Sequence, residues 1–163
     1  AEAMVISDRV VVMESGNVVQ IGKPEQIYET PASKFVADFI GTTNFIAGTV
    51  VQTFADTQEV LIQTEFNQPM RCRTPNHQAT TVDQPVSASI RPEDVKMFTE
   101  VPPDQTNLYA GTIAHRAYLG NFLYFFVDVG GTQIRVQAAH HLPLGEGEQV
   151  YLYLNPQKCV ILR

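Results

Sequence analysis

Along the chain, apolar positions come in short bursts separated by turn-forming residues, and the spacing within each burst decides which element it predicts. An unbroken apolar run, "VVVM" at 10–13, precedes "ESGN" at 14–17 and a second run, "VVQIG" at 18–22. Continuous runs of this length suit a buried strand. Gly16 and Asn17 both tolerate positive φ, so residues 9–22 read as a β-hairpin. Upstream, Ala1, Met4 and Val5 fall at helical spacing and predict a helix end over residues 1–8.

Two short helices are predicted next. In "KPEQIYET" (23–30), Pro24 sits where a first helical turn accepts it, and Glu25 suits the positive end of the helix dipole. Pro31 disfavours helical geometry at Thr30, which sets the stop. Lys23 stands where a hydroxyl residue would cap better, so a frayed start is expected. In "SKFVADFIG" (33–41), Ser33 can cap, Phe35, Val36, Phe39 and Ile40 share one face, and Gly41 terminates.

From residue 45 onward the pattern changes to strand-length runs with no convincing helix. They cover 45–54, 59–66, 70–73, 86–90, 95–98, 108–119, 122–129, 132–138, 149–154 and 159–162. "DVGGTQ" (128–133), with Gly130 and Gly131 at its centre, is the clearest hairpin turn. The polar connector "VPPDQTN" (101–107) suggests two sub-lobes divided near that point. A domain boundary is expected within 41–44. The fold class is mainly β.

Composition narrows the function classes. With 44% hydrophobic and 17% charged residues, the chain can build a core and is not expected to be disordered. No run approaches the ~18 apolar residues of a membrane span, and no charged-then-apolar leader is present, so a soluble cytosolic chain is expected. A formal net charge of −6 argues against a nucleic-acid partner, whose phosphates call for a basic face. Cys72 and Cys159 lack metal-site spacing and read as buried small apolar residues. The adjacent His140 and His141 project to opposite sides of an extended chain, and His77 and His115 are isolated, so no metal site is expected. No phosphate-cradling GxxxxGK[ST] loop, nucleophile elbow or carboxylate pair occurs. Catalytic, cofactor-binding and metal residues are therefore all expected to be absent.

The run "EAMVISDRVVVMESGNVVQIGKPEQIYETPASKFVADFIGTTNF" resembles the last part of the ATP-binding subunit of bacterial ABC importers. The ordered pattern spans Ser7 to Asn44. "SIRPEDV" (89–95) and "AYLGNFLYFFVDVGG" (117–131) resemble segments of that family's transport-associated OB-like (TOBE) regulatory domain. Within the family the likeness points to polyamine, ferric-iron and phosphonate importers. The resemblance implies that residues 1–43 are the incomplete tail of a nucleotide-binding domain and that 44–163 form an OB-like β-barrel regulatory region. It implies a C-terminal fragment without ATPase activity of its own, cut from a parent that uses ATP and Mg. The implied role is regulation and dimerisation, at the inner face of the cell membrane, with a second copy and the permease subunits as partners. A small-ligand sensor for the solute or an oxyanion is the alternative.

Six residues stand out as structural or interface candidates. Arg91 and Glu93 flank Pro92; the resemblance implies that they hold strand ends or a subunit contact, and the alternative is a local surface ion pair. Along 122–127, Leu123, Phe125 and Val127 make one face and Phe122, Tyr124 and Phe126 the other. The second face either completes a sandwiched core or meets another chain. Phe39, together with Val10 and Val12, is expected to lack cover if its usual neighbours lie upstream.

Overall fold

Strand periodicity builds most of the architecture. The computed structural model describes residues 6–75, 79–103, 106–139 and 141–162. The helix end expected over 1–8 lies mostly outside them, as do His77 and His140. Strands β1 (Val10–Glu14) and β2 (Asn17–Gly22) form the hairpin, followed by helices α1 (Pro24–Glu29) and α2 (Lys34–Ile40). The turn is made by Ser15 at φ 49° and Gly16 at φ 84°, one residue earlier than the Gly16–Asn17 pair, because Asn17 is already paired with Glu14. The start of α1 is held by Gln26, whose Oε1 accepts the Lys23 backbone N–H at 3.1 Å in place of a hydroxyl cap. Ser33 caps α2, accepting from the Val36 amide at 3.3 Å. Gly41 ends α2 in extended backbone, φ 178°, so it is not a left-handed terminator.

Ten strands follow. β3 (Asn44–Phe54), β4 (Glu59–Thr64), β5 (Pro69–Arg73), β6 (Pro85–Ile90) and β12 (Val160–Leu162) close a barrel in the order β12-β5-β4-β3-β6. All its neighbours are antiparallel except β12 and β5, which meet in parallel at Val160 and Arg73. β7 (Val95–Phe98), β8 (Leu108–Tyr118), β9 (Phe122–Val129), β10 (Thr132–Ala139) and β11 (Gln149–Leu154) form an antiparallel sheet ordered β10-β9-β8-β11-β7. The fold is thus mainly β, with an OB-like barrel.

The chain changes sheets at the 3-10 turn Pro92–Asp94, earlier than the 101–107 connector. β7 already pairs with β11, with Val95 opposite Leu154, so the connector joins two strands of one sheet. The return to the barrel comes only at β12.

One apolar core runs through both sheets. Leu123, Phe125, Val127 and Val129 on β9 point into it with Ile46, Val50, Ile62 and Met70 of the barrel. Gly111 makes this possible where β8 meets β9: a Cβ there would lie 2.6 Å from Val127 Cγ1 and 2.9 Å from the Asp128 carbonyl. At the β9–β10 turn Gly130 and Gly131 take φ of 56° and 92°, as the expected hairpin requires.

Two buried asparagines tie barrel to sheet by imitating strand pairing. Asn44 Nδ2 donates to the Arg135 carbonyl at 2.9 Å, and its Oδ1 accepts the Arg135 amide at 2.8 Å. Asn107 Oδ1 accepts the Arg71 amide at 2.8 Å, and its Nδ2 donates to the carbonyls of Arg71 (2.7 Å) and Leu154 (2.9 Å). Tyr109 adds a hydroxyl bond to the Pro69 carbonyl at 2.7 Å. Burial raises its hydroxyl pKa, so it stays a donor.

The hairpin and helices sit on the outside of the barrel. Val12 is buried against Ile27 and Val36, with Val10 partly covered beside it. The expectation that both lack cover is corrected: α1 and α2 supply it. What stays exposed is the opposite face of the hairpin, Val11, Met13, Val18 and Ile21. Ala37 packs on Val160 and Leu162, seating α2 against β12.

Asn107→Ala removes the side-chain hydrogen bonds to Arg71 and Leu154 and strands buried main-chain groups, so it should destabilise by about 3 kcal/mol, read as a lowered urea midpoint. Gly111→Ala should cost about 1–3 kcal/mol through overpacking against Val127 and the Asp128 carbonyl. Wild-type midpoints in these variants would contradict the close approach and the amide brace.

Candidate functional site

The junction between the helix pair and the barrel is built on Arg91. The residue leaves β6 just before the Pro92–Asp94 turn and is 6% exposed, rare for a charged side chain. Its Nη1 donates to the carbonyls of Ala37 (3.0 Å), Gly41 (2.7 Å) and Thr42 (3.2 Å) at the end of α2. Its Nη2 donates to the Tyr28 carbonyl near the end of α1 at 3.3 Å. Carbonyls at helix C-termini lack helical partners and carry partial negative charge, so one guanidinium satisfies both ends at once.

The guanidinium also lies over the Tyr28 ring, with Cζ 4.3 Å from its centroid. Desolvation lowers the pKa of Arg91 from its usual value, opposed by Tyr28, Glu93, Asp94 and Asp38. A guanidinium remains charged through such a shift. The Tyr28 hydroxyl donates to Glu93, and burial followed by that carboxylate pushes the phenol pKa upward. Arg91 and Glu93 therefore meet through Tyr28; the surface ion pair considered for them is not what the fold builds.

Arg73, the last residue of β5, makes a second clamp. Its Nη2 donates to the Glu29 carbonyl at 2.8 Å and to Thr30 Oγ1 at 3.3 Å, and its Nε donates to the Gln157 carbonyl at 2.7 Å. Between the clamps opens a cleft of about 450 Å³ whose ionic lining is Glu29, Arg73, Arg91, Glu93, Asp94 and Lys158. Desolvation raises the Asp94 carboxyl pKa, with Glu93 and Glu29 adding and Lys158 and Arg91 opposing.

The remaining candidates lie elsewhere. Phe122, Tyr124 and Phe126 form a half-buried ladder on the outer face of β9, with successive ring centroids 5.2 and 6.5 Å apart. Arg135, paired across β10 with Phe126, covers the rings of Tyr124 and Phe126 at 5.4 and 5.1 Å. His115 lies against Phe126 at 5.6 Å. Phe39 is 66% exposed and stacks on Phe35 of its own helix. The structure thus brings Arg91 and Glu93 together around Tyr28, while Phe39 stacks within α2 and the ladder lies on β9.

Sequence reasoning missed Tyr28, Arg73, Asp94 and Lys158 around the cleft. Tyr28 lies 65 residues from Glu93 along the chain, a separation that leaves no local signal. The Arg-Pro-Glu segment alone pointed at the junction.

Residues 88–162 match the TOBE domain. Over 99% of its length the chain is 33% identical to the spermidine/putrescine import ATP-binding protein PotA of Thermobifida fusca, covering 42% of that protein. It is likewise 33% identical to the putrescine transport ATP-binding protein PotG of Escherichia coli, over 99% of this chain and 44% of that one. The PotA of Protochlamydia amoebophila is 37% identical over 86% of the chain and 37% of its own length. The chain spans less than half the length of these relatives. The fold is shared with the cytoplasmic molybdate-binding protein ModG, at a TM-score of 0.65 and 17% identity over 72% of this chain and 94% of that structure. Among the described residues no helix is long and apolar enough to cross a membrane. Along 99% of its length the chain is similar to the polyamine-import ATP-binding proteins PotA and PotG, and its residues 88–162 carry the TOBE domain.

Proposed function

We propose that this chain is a regulatory and dimerisation region that tunes ATP-driven uptake by an ABC importer, without hydrolysing ATP itself. The observation that carries the reading is the Arg91 clamp. It fixes the helix pair, which lies in the segment resembling the end of a nucleotide-binding domain, rigidly onto the barrel. A shift of the β domain is then transmitted to the ATP-binding part as a rigid-body movement, the kind of differential contact that coupling requires. The working assembly would pair two such subunits on the inner face of the membrane with permease subunits, and ATP and Mg would bind upstream of the residues described.

A second reading, a sensor for a small charged ligand, is favoured by the cleft. Both charge signs line it, and it lies directly between the two arginine clamps. A ligand there would act on the clamp without a separate relay. The relatives named for spermidine and putrescine make those amines the first ligands to try.

Arg91→Lys in the intact ATP-binding subunit keeps the charge and loses the fork. Transport-linked ATP hydrolysis should change by roughly fivefold, the effect of about 1 kcal/mol of coupling, at unchanged ATP affinity. An unaltered rate in a folded variant would overturn the regulatory reading. The isolated chain should hydrolyse ATP no faster than buffer.

A further inference from the structure

The side chains of Cys72 and Cys159 take no part in the clamp, yet they meet where β5 and β12 pair in parallel. Both are buried, at 0% and 1% exposure, and both belong to the main core. That junction sets Val160 opposite Arg73, and the Arg73 amide donates to the Cys159 carbonyl at 2.8 Å. One step back along it, Cys159 stands level with Cys72. Paired strands hold facing residues roughly 4.8 Å apart, within the Cα separation of about 4.4–6.8 Å that a disulfide spans. Each thiol donates to a main-chain carbonyl close by, Cys72 Sγ to Met70 at 4.0 Å and Cys159 Sγ to Leu154 at 3.7 Å.

We propose that Cys72 and Cys159 are a redox-sensitive dithiol, oxidised by peroxide to a disulfide that staples β12 to β5. One thiolate attacks a peroxide oxygen, breaking the O–O bond, and becomes a sulfenic acid as the first water leaves. The second sulfur attacks the first, forming the S–S bond and expelling the hydroxyl as a second water. Two thiols lose two electrons and two protons, and hydrogen peroxide is reduced to two waters.

Reactivity is gated by burial. Desolvation, then the neighbouring Cys159, pushes the Cys72 thiol well above its usual pKa, and burial of both side chains keeps peroxide from the seated pair. Oxidation follows local opening of β12, which is three residues long. The consequence reaches the helix pair. Arg73 follows Cys72 directly and holds Glu29 and Thr30, while the Gln157 carbonyl that anchors Arg73 lies two residues before Cys159. A 72–159 bond fixes both sides of that clamp and makes attachment of the helices sensitive to oxidant.

The whole chain would be treated with hydrogen peroxide in urea below its unfolding transition, then examined by intact mass, non-reducing peptide mapping and thermal melting. Expected are the loss of two hydrogen atoms, one cross-linked peptide pair containing Cys72 and Cys159, and a raised Tm that dithiothreitol reverses. Cys159→Ser should abolish the cross-link. Unchanged thiols, oxygen adducts without a cross-link, or a cross-link that leaves Tm where it was would each overturn the proposal.

Discussion

A buried guanidinium met by main-chain carbonyls is the constraint on which the arrangement depends. Placing Arg91 in the interior is costly unless its donors are met. Main-chain carbonyls from two helix ends meet them, and they can do so only if α1 and α2 converge on the same point. The barrel fixes β6 between β3 and β12, the Pro92–Asp94 turn follows Arg91 directly, and Ala37 seats α2 on β12 beside it. Neither helix, at six and seven residues, is long enough to be stable alone. The charge holds the helices, and the helices satisfy the charge.

The two β sheets are joined by the same device with neutral groups. Asn44 and Asn107 each present an amide that donates and accepts, so a strand edge in one sheet is continued by a side chain from the other. Because the apolar core is continuous across the join, movement of one sheet relative to the other would break both amide pairs at once. The amide pairs join barrel to sheet, and the two arginine clamps join the helix pair to the barrel. That is the property a regulatory domain needs if an event on its surface is to be felt at the helices.

The strands were legible in the sequence because their period is local. β7, β9 and β11 fall on the residues that the apolar alternation picks out, and Gly130–Gly131 fixes the turn between β9 and β10. Long-range closure was not legible. The switch of sheet at Arg91–Asp94 depends on β7 finding β11 some fifty residues later. The run 10–13 looked uniformly buried, but only Val12 is, since α1 and α2 cover one side of the hairpin. At the site, Arg91 and Glu93 stood out through the proline between them. Tyr28 and Arg73 join them only in three dimensions, and each is an ordinary residue in its own sequence context.

The most direct test of the Arg91 account is amide hydrogen exchange, comparing the wild-type chain with Arg91→Lys. A lysine can satisfy part of one helix end but cannot span both. The account predicts lost protection concentrated in residues 24–41, with β8, β9 and β11 as protected as before. Unchanged protection in the helix pair, or a loss spread evenly over the sheet, would contradict the claim that Arg91 holds the helices to the barrel.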